Sequence, residues 1–303
     1  MPEPVLQIDG LTKTYGRKTV VNEVSLEVRR GEMFGFLGPN GSGKTTTIRM
    51  CLGIIRPNAG SIRILGSRPE REILKSVGYL PEERGLTKKV RVTEILRFLG
   101  RLKGMSAAAA ERRALELLER VGLHEHRDKQ VEGLSRGMTQ LVQFIGAIIH
   151  DPDFIILDEP FAGLDPLNVE LMKELLTERQ KAGTSVMFST HIMSDVEELC
   201  ERVALISDSR LLLFGDLAEI KRQRGAKSVQ VQAKGDVPAG LANARRQNLP
   251  GGVVNYSIDD GRTPESILRA YLDAGIEVER FELALPSLNE IFVEEVSRAR
   301  AAV

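Results

Sequence analysis

With 303 residues, 42% of them apolar and 28% charged, the chain can hold a sizeable core and more than one folded unit, and its composition is that of an ordinary globular protein. Acidic and basic residues number 42 each, so no global basic field points to nucleic acid as a partner. No stretch approaches the ~18 uncharged apolar residues of a membrane span, no signal peptide opens the chain, and Cys51 and Cys200 stand far apart as small buried thiols; the expectation is a cytosolic protein whose membrane role comes through a partner.

Val5 to Asp9 and Val20 to Val28 have strand character, and Val24 to Val28 alternates as a half-buried antiparallel strand does. Tyr15, between them, is either a stacking surface for a base or a packing residue. Met33 to Leu37 is an apolar run suited to a buried strand. It leads into Gly38-Pro39-Asn40-Gly41-Ser42-Gly43-Lys44-Thr45, and Thr46 to Leu52 has helical composition. Strand, glycine loop and helix start form the context that the motif G-x-x-x-x-G-K-[ST] requires. The glycines let backbone N–H groups turn inward around a polyphosphate, and the helix N-terminus adds positive charge there. Lys44 is placed to reach β- and γ-phosphates, and the Thr45 hydroxyl to ligate Mg²⁺. The loop binds a nucleoside triphosphate; it does not say how the energy is used.

Pro57 to Gly60 is a turn, Ser61 to Leu65 a strand, and Val77 to Leu80 another strand running into polar Glu82 and Glu83. Thr93 to Gly122 is helical, with Ser106 an N-cap inside it and Gly122 the stop. His124 and His126 follow on a loop without further ligands and are expected to be solvated. Ser135 caps a helix carrying Leu141, Phe144, Ile145, Ile148 and Ile149 until Pro152. It opens either a well-capped core helix or a second anion-binding N-terminus, with Gly137 allowing close approach.

Phe154 to Leu157 is a fully apolar strand ending in Asp158 and Glu159, and a buried parallel strand delivers such residues to a ligand crevice. Downstream of the glycine loop, Asp158 is expected in the Mg²⁺ shell and Glu159 as the group polarising an attacking water. Asp165 and Pro166 are an N-cap and N1 pair for a helix from Asn168 to Lys181. Val186 to His191 is the next buried strand, with His191 at its polar end as a γ-phosphate contact or an incidental loop histidine. Ser194 and Glu197 have capping-box spacing for another helix. Lys221 to Gly225 reads as a solvated linker. Beyond it, strands at Ser228 to Gln232, Val253 to Ile258 and Ile276 to Leu283 alternate with helices at Pro264 to Ala274 and Leu288 to Arg300, a compact α+β module without chemically informative clusters.

The series of glycine loop, Leu134-Ser135-Arg136-Gly137-Met138, acidic strand end, Gly163-Leu164-Asp165 and strand-end His191 resembles the ATP-binding cassette (ABC) transporter ATPases over residues 4 to 220. The resemblance implies an α/β P-loop NTPase with a RecA-like core, an antiparallel β subdomain and a helical subdomain near 88–150, making a cassette of residues 1–220. Residues 221–303 look like the tail domain of a bacterial export-type subgroup and would form a separate α+β domain. ATP and Mg²⁺ are the implied cofactors. Tyr15 would stack on adenine, and Gly38, Pro39, Asn40, Gly41, Ser42, Gly43, Lys44, Thr45 and Thr46 would bind phosphates and metal. Asp158 would hold the metal, Glu159 would be the general base and His191 the switch histidine. Ser135 and Gly137 would act on ATP held by a second subunit, with Asp165 at the dimer seam.

Two positions depart from the family pattern. Glu82 stands where glutamine is usual, and an ionised carboxylate only accepts hydrogen bonds and adds negative charge near a metal it could still ligate. Arg136 adds a charge to the Ser135 motif. The implied protein is the ATPase subunit of an exporter, peripheral on the cytoplasmic face of a membrane, paired with a transmembrane permease and a second ATPase subunit, homo- or heterodimeric. An importer ATPase, or a soluble member serving translation or DNA repair, are the alternatives.

Overall fold

The structure is a computed structural model that describes residues 3–83, 85–225, 228–258 and 262–301; the outer ends of the expected domains, residues 1–2 and 302–303, lie outside them. The chain forms two compact units, Met1–Gly215 and Asp216–Val303.

In the first unit, β1 (Pro4–Tyr15) and β2 (Lys18–Arg29) pair antiparallel, and β1 is longer than the Val5 to Asp9 pattern indicated because irregular register beyond Ile8 breaks the alternation. The fully buried β3 (Met33–Leu37) feeds α1 (Lys44–Cys51), and β4 (Ala59–Ile64) completes a three-stranded sheet in the order β2-β1-β4. After β5 (Val77–Leu80), the expected helical stretch is two helices, α2 (Val92–Leu102) and α3 (Ala107–Arg120), the second opened by Ser106 as expected. They part at Gly104, whose φ of +98° an L-residue helix does not tolerate, and Ser106 caps α3 through the Ala109 N–H at 3.2 Å.

Next come α4 (Arg136–Ile148), β6 (Phe154–Asp158), α5 (Pro166–Lys181), β7 (Ser185–Thr190), α6 (Met193–Leu199), β8 (Arg202–Ser207) and β9 (Arg210–Asp216). The six-stranded sheet runs β5-β6-β7-β3-β8-β9, with β5, β6, β7, β3 and β8 parallel. Parallel strands of this kind are covered on both faces, which is why β3, β6, β7 and β8 are buried at every residue and aim their C-terminal ends at one edge. The Ser194 and Glu197 capping box does not form: α6 starts at Met193, Ile192 holds the N-cap position, and no side chain caps it among the described residues.

In the second unit, α7 (Leu217–Gln223) runs into the expected linker: Asp216 caps it through the Glu219 N–H, Leu217 and Ile220 are buried, and Arg222 is exposed. Arg224, read as part of the solvated run, ion-pairs with Glu294 at 4.0 Å and with Glu295. A four-stranded sheet in the order β11-β12-β10-β13 follows, from β10 (Ser228–Lys234), β11 (Arg246–Leu249), β12 (Val253–Ser257) and β13 (Glu277–Ala284). With α8 (Pro264–Asp273) it surrounds a small core of Val229, Val231, Tyr256, Ile267 and Tyr271, and α9 (Leu288–Ala301) ends the unit.

Candidate functional site

The loop between β3 and α1 is built so that only glycine fits at its turning points. Gly41 and Gly43 have φ of +79° and +111°, and Gly43 occupies the N-cap position of α1. A Cβ on Gly38 would collide with the Ile206 carbonyl oxygen, and one on Gly43 with that of Val20. Asn40, Gly41, Gly43, Lys44, Thr45 and Thr46 line a cavity of ≈ 330 Å³, closed on other sides by Lys18, Val20, Glu82 and Glu159. Buried Lys44 donates to the Gly38 carbonyl at 2.7 Å and lies 3.3 Å from Glu159 Oε1, so one cation spans the loop and the acidic strand end. Pro39 contributes a carbonyl 3.4 Å from the same Nζ, and the buried Ser42 hydroxyl has no hydrogen-bond partner among the described residues.

Asp158 is fully buried at the end of β6. Its Oδ1 accepts from the Ser189 hydroxyl, while its buried Oδ2 has no partner among the described residues. A buried carboxylate oxygen left without a donor is costly unless a cation satisfies it. That orphan oxygen, and the hydroxyl of Thr45 in the cavity wall, are each hard oxygen donors of the kind Mg²⁺ takes. Glu159 has φ +50°, a strained conformation for glutamate, held by its N–H donating to Ser189 Oγ at 3.2 Å and Ser189 O at 3.1 Å. The turn aims Glu159 back toward Lys44, and Oε2 meets His191 Nδ1 at 2.9 Å. Lys44, Glu159 and His191 therefore form a continuous polar chain that begins in the cavity wall.

The remaining expected residues divide by place. Glu82 is exposed on the cavity wall, after β5. Tyr15, 51% exposed at the end of β1, carries the Lys13 ammonium 5.0 Å from its ring centroid, so it presents a ring to solvent rather than packing into the core. Ser135, Gly137 and Asp165 form another group, and none of them lines the P-loop cavity. Ser135 caps α4 through the Met138 N–H at 3.2 Å, and a Cβ on Gly137 would lie 3.8 Å from Asp165 Oδ2. Asp165 caps α5 through the Asn168 N–H at 3.1 Å, and that hydrogen bond helps hold its carboxyl below the usual range. Both caps leave polar groups exposed at helix N-termini, where an anion is favoured.

Sequence reading missed Ser189, which buttresses both acids. Its signal is the polar residue closing the apolar run Val186 to Phe188, but its meaning depends on the β6–β7 register that sets Asp158 opposite Ser189. Lys18 and Val20 in the cavity wall were likewise not singled out. His124 and His126 are not the freely solvated pair expected: both are half-buried in a short 3₁₀ turn, with His124 3.1 Å from Arg127 and His126 Nδ1 buried. No group of three or more potential metal-ligating side chains occurs among the described residues. No helix among them is long and apolar enough to cross a membrane.

Residues 21–162 match the family described as ABC transporter, and residues 215–296 the one described as ATP-binding protein DrrA1-3-like, C-terminal domain. The chain is 40% identical over 296 residues to the uncharacterized ABC transporter ATP-binding protein YhaQ of Bacillus subtilis, covering 96% of this chain and 98% of that one. It is 41% identical over 218 residues to the Nod factor export ATP-binding protein I of Paraburkholderia xenovorans, covering 71% and 72%. Among solved structures, an ATP binding subunit of an ABC transporter superposes with a TM-score of 0.69 at 33% identity, covering 73% of this chain and 93% of that one.

Proposed function

This chain belongs to the ATP-binding subunits of ABC transporters, ATPases that work with a transmembrane partner, and on that premise we propose that its cavity is one half of a composite hydrolytic site in an exporter. The observation that carries the proposal is the polar chain from Lys44 through Glu159 to His191. Lys44 can pair with Glu159 or with the β- and γ-phosphate oxygens of ATP. When the phosphates draw the ammonium away, the Glu159 carboxylate is released to accept a proton from water. The water oxygen then bonds to the γ-phosphorus as the bond to the bridging oxygen of ADP breaks. His191 fixes the carboxylate through Oε2. The Gly41 to Thr46 backbone and the α1 N-terminus hold the polyphosphate.

Asp158, Thr45 and Glu82 would hold Mg²⁺, which supplies charge neutralisation on the β- and γ-phosphate oxygens when bound. Exposed Tyr15 would stack on adenine. Ser135, Gly137 and Asp165 sit outside the cavity because they serve the ATP of a second subunit packed head to tail. ATP would close that dimer and its hydrolysis release it, driving a membrane permease from the cytoplasmic face. Export is favoured by the name of the Nod factor relative and by the DrrA-like tail. Measuring Glu159→Gln tests the reading: turnover should fall at least ~100-fold while Mg-ATP still binds and the dimer persists. Wild-type turnover would remove Glu159 as the base.

A further inference from the structure

Lys173 lies on α5, the helix opened by Asp165, and is only 7% exposed. Its ammonium donates to Glu198 at 2.6 Å and pairs with Asp195 at 3.1 Å, both on α6, and it lies 5.8 Å from the ring centroid of Phe161. Burial works against its charge, but the hydrogen bonds and charges of Glu198 and Asp195 outweigh it and raise the Lys173 pKa. The cation is thus a permanent part of this junction.

The elements it joins lead directly to the polar chain described above. Phe161 is two positions beyond Glu159 and packs edge-on against Phe188 of β7, ring centroids 5.6 Å apart. α6 begins two positions beyond His191. With seven residues and no capping side chain among the described residues, α6 draws little stability from its own turns. Its place must come from tertiary anchors. One is Val196, fully buried against the glycine notch of β3, where a Cβ on Gly35 would come within 2.6 Å of its Cγ1. Another is the charge pairing with Lys173.

Val196 fixes the height of α6 over the sheet, being apolar and non-directional. Directional hydrogen bonds and ion pairs limit how the helix can turn about that contact. His191 is 48% exposed, so its ring has few packing neighbours to orient it, and the start of α6 governs where its backbone points. The strained Glu159 turn needs the same rigidity on the Phe161 side.

We propose that Lys173 is a positioning residue for hydrolysis: by clamping α6 to α5 across Phe161, it holds His191 on the Glu159 carboxylate. The proposal rests on the catalytic reading of Glu159 and His191 given above. It also links the Asp165 helix mechanically to the histidine, so that a partner subunit pressing on the start of α5 would be felt at His191.

The test uses the full chain and two readouts, steady-state ATPase activity and the ring ¹⁵N resonances of His191, assigned by loss in His191→Ala. Lys173→Met, which keeps the stem and removes the charge, should lower kcat about tenfold at nearly constant KM. It should also move the His191 resonances toward those seen in Glu159→Gln. In a His191→Ala background the same substitution should cost no further turnover, and Lys173→Arg should restore most of the wild-type rate. Should Lys173→Met fold poorly, Asp195→Asn removes one partner of the cation with a smaller change and should act in the same direction. Unmoved His191 resonances in a folded Lys173→Met or Asp195→Asn variant would overturn the proposal, as would losses that multiply with His191→Ala. If His191→Ala alone turned over ATP at the wild-type rate, the catalytic reading of His191 would fail, and the resonances would still decide whether Lys173 positions the ring.

Discussion

Replacing Ser189 with alanine isolates the support beneath the two acids. In the intact chain the Ser189 hydroxyl donates to Asp158 Oδ1 and accepts the Glu159 N–H at 3.2 Å. Asp158 is fully buried and its Oδ2 has no partner among the described residues, so Ser189→Ala leaves the carboxylate with no hydrogen bond there. Hydrogen bonds to charged groups contribute about 1.5–3 kcal/mol, and an isolated buried charge puts this site in the upper part, about 2–3 kcal/mol. The Glu159 N–H keeps the Ser189 carbonyl at 3.1 Å, so the turn adds little to that cost. For a unit of this size the melting temperature should fall by about 5–10 °C, read by far-UV circular dichroism. Because Asp158 loses its orientation, the Mg²⁺ concentration giving half-maximal ATPase activity should rise at least about tenfold. A stability change under about 0.5 kcal/mol with an unchanged Mg²⁺ requirement would refute the argument.

Two other outcomes follow from the geometry. Gly38→Ala should abolish nucleotide binding, measured by calorimetry, because its Cβ would meet backbone at Ile206 rather than a side chain that can move. Burial, with a smaller repulsive contribution from Lys103, depresses the His150 pKa from 6.5 to about 4, so the unfolded chain binds a proton that the folded chain refuses between those values. Stability should therefore be complete above pH 6.5 and decline by up to about 3 kcal/mol as pH falls to 4. A His150→Gln variant should show a flatter urea-denaturation profile across that window.

The sequence made the site's parts legible where chemistry and spacing are local. The glycine loop, the acidic end of β6, the Ser135 cap and the Asp165–Pro166 pair each lie within a few residues. It was silent where the cause is tertiary. β8 is buried along its whole length and so lacks the alternation that marks a half-exposed strand, and one of its partners is β3, far back in the chain. The basic run at Lys221 looked solvated because its helix shows only two buried residues, Leu217 and Ile220, both ahead of that run. Ser194 and Glu197 have the right spacing for a capping box, but the chain after His191 turns into α6 two residues too early for Ser194 to cap it. Ser189 and Lys173 acquire their roles only once β6 meets β7 and α5 meets α6.

The central claim is that the cavity around Lys44 is completed by Ser135 of another subunit. Mixing Lys44→Ala and Ser135→Ala chains tests it most directly. Each variant alone should be nearly inactive, since one lacks the loop cation in both sites and the other lacks both capping hydroxyls. In a mixed dimer the intact Lys44 faces the intact Ser135 at one site, so an equal mixture should recover about a quarter of wild-type turnover if chains exchange at random. A mixture as inactive as its components, or a Ser135→Ala protein fully active alone, would contradict it.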